Sequence, residues 1–120
     1  MSNREIVVLT NISMITAVVQ RGIADVIVRA AIEAGAQGAT IYYGRGSGVR
    51  ERLGVLGLAV EAEKEIVKIL IANDEVDRVF EQIYVAGNLD TPGMGIVFVT
   101  ALEKAATHIP DFMRDKLIKE

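Results

Sequence analysis

Gly44, Gly46 and Gly48 stand at alternate positions in YYGRGSGVRERLG (residues 42–54), with arginines at 45, 50 and 52 among and after them. Glycine lacks a Cβ, so a backbone built on it can bend sharply and bring its N–H groups close to an anion. The arginines would add charge-assisted hydrogen bonds to phosphate oxygens. More specific motifs are excluded by spacing. Ser47 has Arg45 and Val49 where a nucleophile elbow needs glycines. Val49 occupies the third glycine position of a dinucleotide fingerprint, no helix follows promptly, and no P-loop lysine is present. Two readings are left: a loop that touches phosphate, or a flexible loop with solvated arginines.

The other chemistry-bearing residues assemble less. His108 is the single histidine and the chain has no cysteine, so no metal set is expected and a structural or surface role suits it better. Glu61, Glu63 and Glu65 form a carboxylate row that reads as the solvated beginning of a strand, because paired catalytic carboxylates need burial to split their pKa values. Tyr42 and Tyr43 could stack on a base, although strand tyrosines usually pack. An enzymatic reading needs a hidden acid–base pair such as Asp90 with His108. No nucleophile, base and oxyanion donor come together, so the chain is not expected to be an enzyme.

These residues must be positioned by a regular scaffold. Ile6–Leu9 and Ile15–Val19 are β-branched runs separated by Thr10-Asn11-Ile12-Ser13, and read as two strands with a turn between them. From Ile23 the apolar spacing changes to three and four (Ile23, Val26, Ile27, Ala30, Ala31, Ala34), an amphipathic helix stopped by Gly35. Ala39–Tyr43 reads as a strand. Gly44 then opens an irregular stretch to about Ala62 that holds five of the eleven glycines, and a long loop in a compact domain is usually functional. Ile66–Ile71 reads as a buried strand. Asn73 or Asp74 would cap a helix carrying Val76, Val79, Phe80 and Ile83, which Gly87 ends. A second glycine loop, AGNLDTPGMG (86–95), leads into the strand Ile96–Val99. The tail from Leu102 contains the Pro110 break and a charged helical segment, Asp111–Lys119.

Apart from the N-terminal strand, this order is β-α-β, loop, β-α-β: an α+β, ferredoxin-like split pattern. At 120 residues it is expected to be a single domain, with a core over 14–105, a strand extension over 1–13 and a tail over 106–120. With 51% hydrophobic and 24% charged residues it should fold. A net charge of −3 argues against a general nucleic-acid or anionic-membrane binder. The N-terminal apolar run is too short for a signal sequence, no segment reaches spanning length without a charge, and cysteine is absent; a soluble, cytoplasmic protein is expected.

The stretch MITAVVQRGIADVIVRAAIEAGAQGATI, the glycine-rich loop after it, and EKEIVKILIANDEVDRVFEQIYVAGNLDTPGMGIVFV together resemble the PII signal-transduction family over about residues 14–105. They look most like its divergent PII-like members. The resemblance implies a ferredoxin-like homotrimer that binds an adenine nucleotide (ATP, ADP or AMP) as an effector between subunits, with no cofactor required. It implies regulation of a partner protein, whether transporter, enzyme or regulator, in signal transduction of the nitrogen-regulation type. Gly44 to about Ala62 would be the T-loop that reaches the partner. Gly87–Gly95 would be the phosphate-holding B-loop. The implied ligand set is Thr40, Gly44, Arg45, Gly46, Ser47, Gly48, Arg50, Gly87, Asn88, Leu89, Asp90, Thr91, Pro92, Gly93, Met94 and Gly95.

Departures from the family pattern bear on the ligand. Ser47 falls near the place of the family's T-loop arginine, so Arg45 or Arg50 would have to substitute. Ile96 takes the B-loop lysine position, and Thr107 and Ile109 take those of two arginines supplied by a neighbouring subunit. These losses weigh against triphosphate binding, and the missing T-loop tyrosine against uridylylation. The contrasting reading is an oligomeric scaffold, similar to the divalent-cation-tolerance proteins, whose loops only pack.

Overall fold

The computed structural model describes residues 6–46, 62–108 and Phe112. Its elements are β1 (Val8–Leu9), β2 (Ile12–Gln20), α1 (Ala24–Glu33), β3 (Thr40–Gly46), β4 (Ala62–Ala72), a 3-10 turn (Asn73–Glu75), α2 (Val76–Ala86), β5 (Gly95–Ala101) and β6 (Ala105–Ala106). The main sheet has the order β3-β4-β2-β5, with every neighbouring pair antiparallel. This is the ferredoxin-like arrangement that the βαββαβ order implies.

Strand residues alternate between two faces. Ile15, Ala17 and Val19 of β2 and Val67, Ile69 and Ile71 of β4 therefore share the face on which both helices lie. α1 contributes Ala24, Ile27 and Ala31, and α2 contributes Val79 and Ile83, the three- and four-residue steps that keep one helical stripe inward. Arg78 of α2 ties the helices together by donating from Nε to the Ala34 carbonyl at the end of α1 (2.7 Å).

Among the described residues, no helix lies on the opposite face of the sheet. Cross-strand partners point the same way, and the register lays out Tyr42–Ile66–Val18–Ile96 as one row, Thr40–Lys68–Thr16–Phe98 as the next, and Leu70–Met14–Thr100 beyond it. Tyr42, Leu70, Ile96 and Phe98 are exposed there, Ile96 by 58%. Ile66–Ile71 is thus not buried throughout. Its members alternate between the core and this open apolar face.

Several strand limits differ from the sequence expectation. β2 starts at Ile12, because Ile12 and Ser13 pair with Ala72 and Ile71; the turn is confined to Thr10 and Asn11. β3 continues through Gly44 and Gly46, which pair with Lys64 and Ala62. A Cβ on Gly44 would lie 2.9 Å from Ile66 Cδ1, so this glycine serves packing within the strand. β4 begins at Ala62, which pairs with Gly46 of β3, and the β2 ladder joins from Lys64.

The capping expectation is corrected too. Neither the 3-10 turn nor α2 has a side-chain cap. Asn73 turns the other way: Ser13 Oγ donates to its Oδ1 (2.5 Å), and its Nδ2 donates to Asn11 Oδ1 (3.0 Å). β1 does not extend the main sheet. It pairs with β6 through Val8↔Ala106 and Leu9↔Ala105, and Leu9, Ile12 and Ala72 make a small second cluster with Leu102 and Ala105. The charged segment expected at 111–119 and the Pro110 break lie outside the described residues, apart from Phe112.

Candidate functional site

Both glycine loops leave one end of the sheet. Gly44 lies opposite Lys64, Lys64 opposite Gln20, and Gly95 opposite Val19 beside it. The end of β3 and the start of β5 are on opposite edges, however, with β4 and β2 between them. Three strand spacings make that separation about 14 Å. Of the expected ligand residues, Gly44, Arg45 and Gly46 are on β3 at this end. Thr40 is at the other end of the strand, opposite Lys68, roughly 20 Å away along the chain direction. Ser47, Gly48 and Arg50 lie outside the described residues.

The second loop is built by the way α2 ends. The Leu89 N–H donates to the Tyr84 carbonyl (3.1 Å) and the Asn88 N–H to that of Val85 (3.2 Å), the paired bonds of a Schellman motif. The left-handed residue that closes it is Asn88 (φ 51°), whereas Gly87 keeps φ −83°. Gly87 is needed for space: a Cβ there would come 2.8 Å from Ile27 Cδ1. The Thr91 N–H then donates to Asn88 (2.9 Å) and the Met94 N–H to Thr91 (3.2 Å). Four loop amides are therefore spent on the loop's own turns, and Pro92 has none. Among the described residues, the Asp90 and Gly93 amides keep no such partner, and with the Asn88 side-chain amide and the Thr91 hydroxyl they are donors that the loop can offer.

Charge near this loop is sparse. Residues 79–103 contain no lysine or arginine, while Glu81, Asp90 and Glu103 are acidic. Of the cations at this end of the sheet, Arg45 and Lys64 belong to β3 and β4, and Arg21, in the turn that follows β2, is paired with Glu63 (3.1 Å). Lys68 stands on the open face with its Nζ 5.6 Å from the centre of the Tyr42 ring. Among the described residues no group of histidine, aspartate and glutamate is placed to hold a metal ion. Asp90 and His108 are both exposed and make no mutual contact there.

Two residues at this end were not anticipated as site residues. Glu65, read from the sequence as part of a solvated row, is 9% exposed. Its Oε1 accepts from the Gly22 N–H (2.7 Å) and the Ala24 N–H (2.9 Å), supplying the acceptor that Ile23 at the α1 N-cap cannot. Gln20 donates from Nε2 to the Gly93 carbonyl (2.6 Å), so it holds the tip of the second glycine loop. Period-2 continuation from Val67, Ile69 and Ile71 was the available signal for Glu65, since it places that carboxylate on the core face. Nothing local in the sequence marks Gln20.

The sheet order and the two helices on one face define a ferredoxin-like α+β protein. A solved structure of that fold, described as Arabidopsis thaliana PII bound to citrate, superposes with a TM-score of 0.61 at 21% identity, covering 78% of this chain and 79% of that one. A search of curated proteins returned no match. The family model for nitrogen regulatory protein P-II matches residues 12–110, and the chain belongs to that family. No helix among the described residues is long and apolar enough to cross a membrane.

Proposed function

We propose that this chain is a non-enzymatic PII-like regulator. It assembles as a homotrimer through the open sheet face, binds an adenine nucleotide between subunits with the Gly87–Gly95 loop and the Gly44–Gly46 end of β3, and acts on a protein partner through the segment that follows β3. The observation that carries this reading is the placement of the two glycine loops. They share one end of a sheet but sit on opposite edges, so a single ligand can meet both most readily where two subunits abut.

The open face supports the assembly. Tyr42, Ile66, Val18, Ile96, Phe98, Leu70 and Met14 form an apolar surface broader than the scattered exposed hydrophobics of a monomer. Phe98 is a large aromatic side chain on that surface. Phe98→Ala is expected to weaken self-association about thirtyfold, the equivalent of a ~2 kcal/mol hot spot. Sedimentation velocity over a dilution series would read this, and an unchanged distribution would remove the face from the assembly.

The loop's chemistry narrows the effector. Two spare backbone amides, no lysine or arginine within residues 79–103, and an Arg21 already paired with Glu63 suit one phosphate better than three, so AMP and ADP are expected to bind more tightly than ATP. A ligand that prefers the folded state raises stability by mass action, by about 2.7 kcal/mol at a hundredfold excess over Kd. A thermal-shift series with the three nucleotides tests this. An ATP shift larger than that of AMP would contradict the charge argument, and no shift with any of them would favour the scaffold reading. The same loop favours that second reading in one respect, since most of its amides already pack the loop.

A further inference from the structure

We infer that the turn Gln20–Ile23 between β2 and α1 is a coupling element that links the Gly87–Gly95 loop to the beginning of β4. Its four residues reach both. Gln20 Nε2 holds the Gly93 carbonyl, the Gly22 N–H and the following Ala24 N–H are held by Glu65 of β4, and Arg21 Nη1 lies 3.1 Å from Glu63 Oε2 of the same strand. The turn is itself closed by the Ile23 N–H donating to the Gln20 carbonyl (3.2 Å). A displacement of Gly93 therefore pulls on Gln20, and the closed turn passes it to the two amides that Glu65 reads.

The contacts differ in strength, and that decides which residues matter. Arg21 and Glu63 are mostly exposed, with side-chain exposures of 77% and 58%, so their pair is screened and carries little. The Glu65 bonds are charge-assisted, and the Ala24 N–H lies in a buried setting. Gln20 is exposed, yet its bond is the one direct side-chain link between the turn and the glycine loop among the described residues. Glu65 and Gln20 are thus positioning residues rather than ligand contacts. Under the proposed function, which this step rests on for its biological meaning, ligand occupancy of the loop reaches the strand that follows residues 47–61 through them.

The test needs no ligand. Amide hydrogen exchange is followed on the full-length protein and on two conservative variants, Gln20→Ala and Glu65→Gln. Gln20→Ala is expected to speed exchange at Gly22 and Ala24, and Glu65→Gln to speed it at Thr91 and Met94, each by roughly threefold or more. The Ile69 amide, in the middle of β4, should not change in Gln20→Ala, and in Glu65→Gln it reads the global loss of stability that the other amides are compared with. Reciprocal effects at the far side of the turn that exceed the change at Ile69 would support the coupling; acceleration confined to the mutated side, or no greater than at Ile69, would overturn it. Adding AMP in a separate series should slow exchange at Gly22 and Ala24 in the wild type and not in Gln20→Ala. AMP binding without any protection at Gly22 and Ala24 would also overturn the coupling. Failure of AMP, ADP and ATP all to bind would instead count against the nucleotide reading, leaving the two variants to decide the coupling by themselves.

Discussion

Gly95→Ala is expected to destabilise the fold by about 3 kcal/mol, combining an overpacking cost with an unfavourable positive φ. The geometry is severe. A Cβ at residue 95 would lie 2.3 Å from the Val18 carbonyl oxygen and 3.0 Å from Val19 Cα, and the residue has φ +139°. Both obstructing atoms are backbone of the central strand β2, which is held by ladders to β4 and β5. Neither can swing aside as the end of a flexible side chain would. For a chain of this size the loss corresponds to a fall in Tm of about 12 °C at fixed protein concentration.

Gly38→Ala is the matched control. It has open space where its Cβ would go and no positive φ, so its Tm should stay within about 2 °C of wild type, as for other surface changes. A Gly95→Ala protein as stable as Gly38→Ala would mean that β5 does not approach β2 as described. The position also matters for function. Gly95 is where the second glycine loop becomes a strand, so moving β5 outward would move Gly93 away from Gln20.

The element order was readable from apolar spacing because each element obeys one local period: two along Ile15, Ala17, Val19 and Val67, Ile69, Ile71, and three to four along Ala24, Ile27, Ala31. What escaped was set by contacts distant in sequence. β6 is two residues long, too short for any period, and β1, read as Ile6–Leu9, keeps only Val8–Leu9, the two residues that pair with it. Gly44 looked like the opening of a loop, but β4 pairs with it and Ile66 fills the space its side chain would take. Asn73 has the right type and place for a helix cap, and is drawn off by Ser13 and Asn11, about sixty residues earlier. At the candidate site the second glycine loop was legible as a loop. The spending of the second loop's amides on its own turns was not, because Asn88 rather than Gly87 takes the left-handed conformation.

Glu65→Ala is expected to cost about 3 kcal/mol, although the residue belongs to a charged row that reads as solvated. The deletion does more than remove a carboxylate. It leaves the Gly22 and Ala24 amides, now bonded at 2.7 and 2.9 Å, without their acceptor, and the N-cap residue Ile23 has no oxygen to replace it. It also removes a negative charge from the positive end of the α1 dipole. Glu65→Gln separates these contributions: its side-chain oxygen still accepts from the same amides, so only the charge is lost, and the cost should fall to about 1 kcal/mol. Glu63→Ala, two residues away on the same face but 58% exposed and in a solvent-screened pair with Arg21, should change stability by less than about 0.5 kcal/mol. Denaturant unfolding of the three variants at one protein concentration gives the ranking. Equal costs for Glu65→Ala and Glu63→Ala would show that the carboxylate beneath α1 is not the helix's cap, whereas the graded series would assign the stability of this end of the sheet to a residue of β4 acting on a helix forty residues before it.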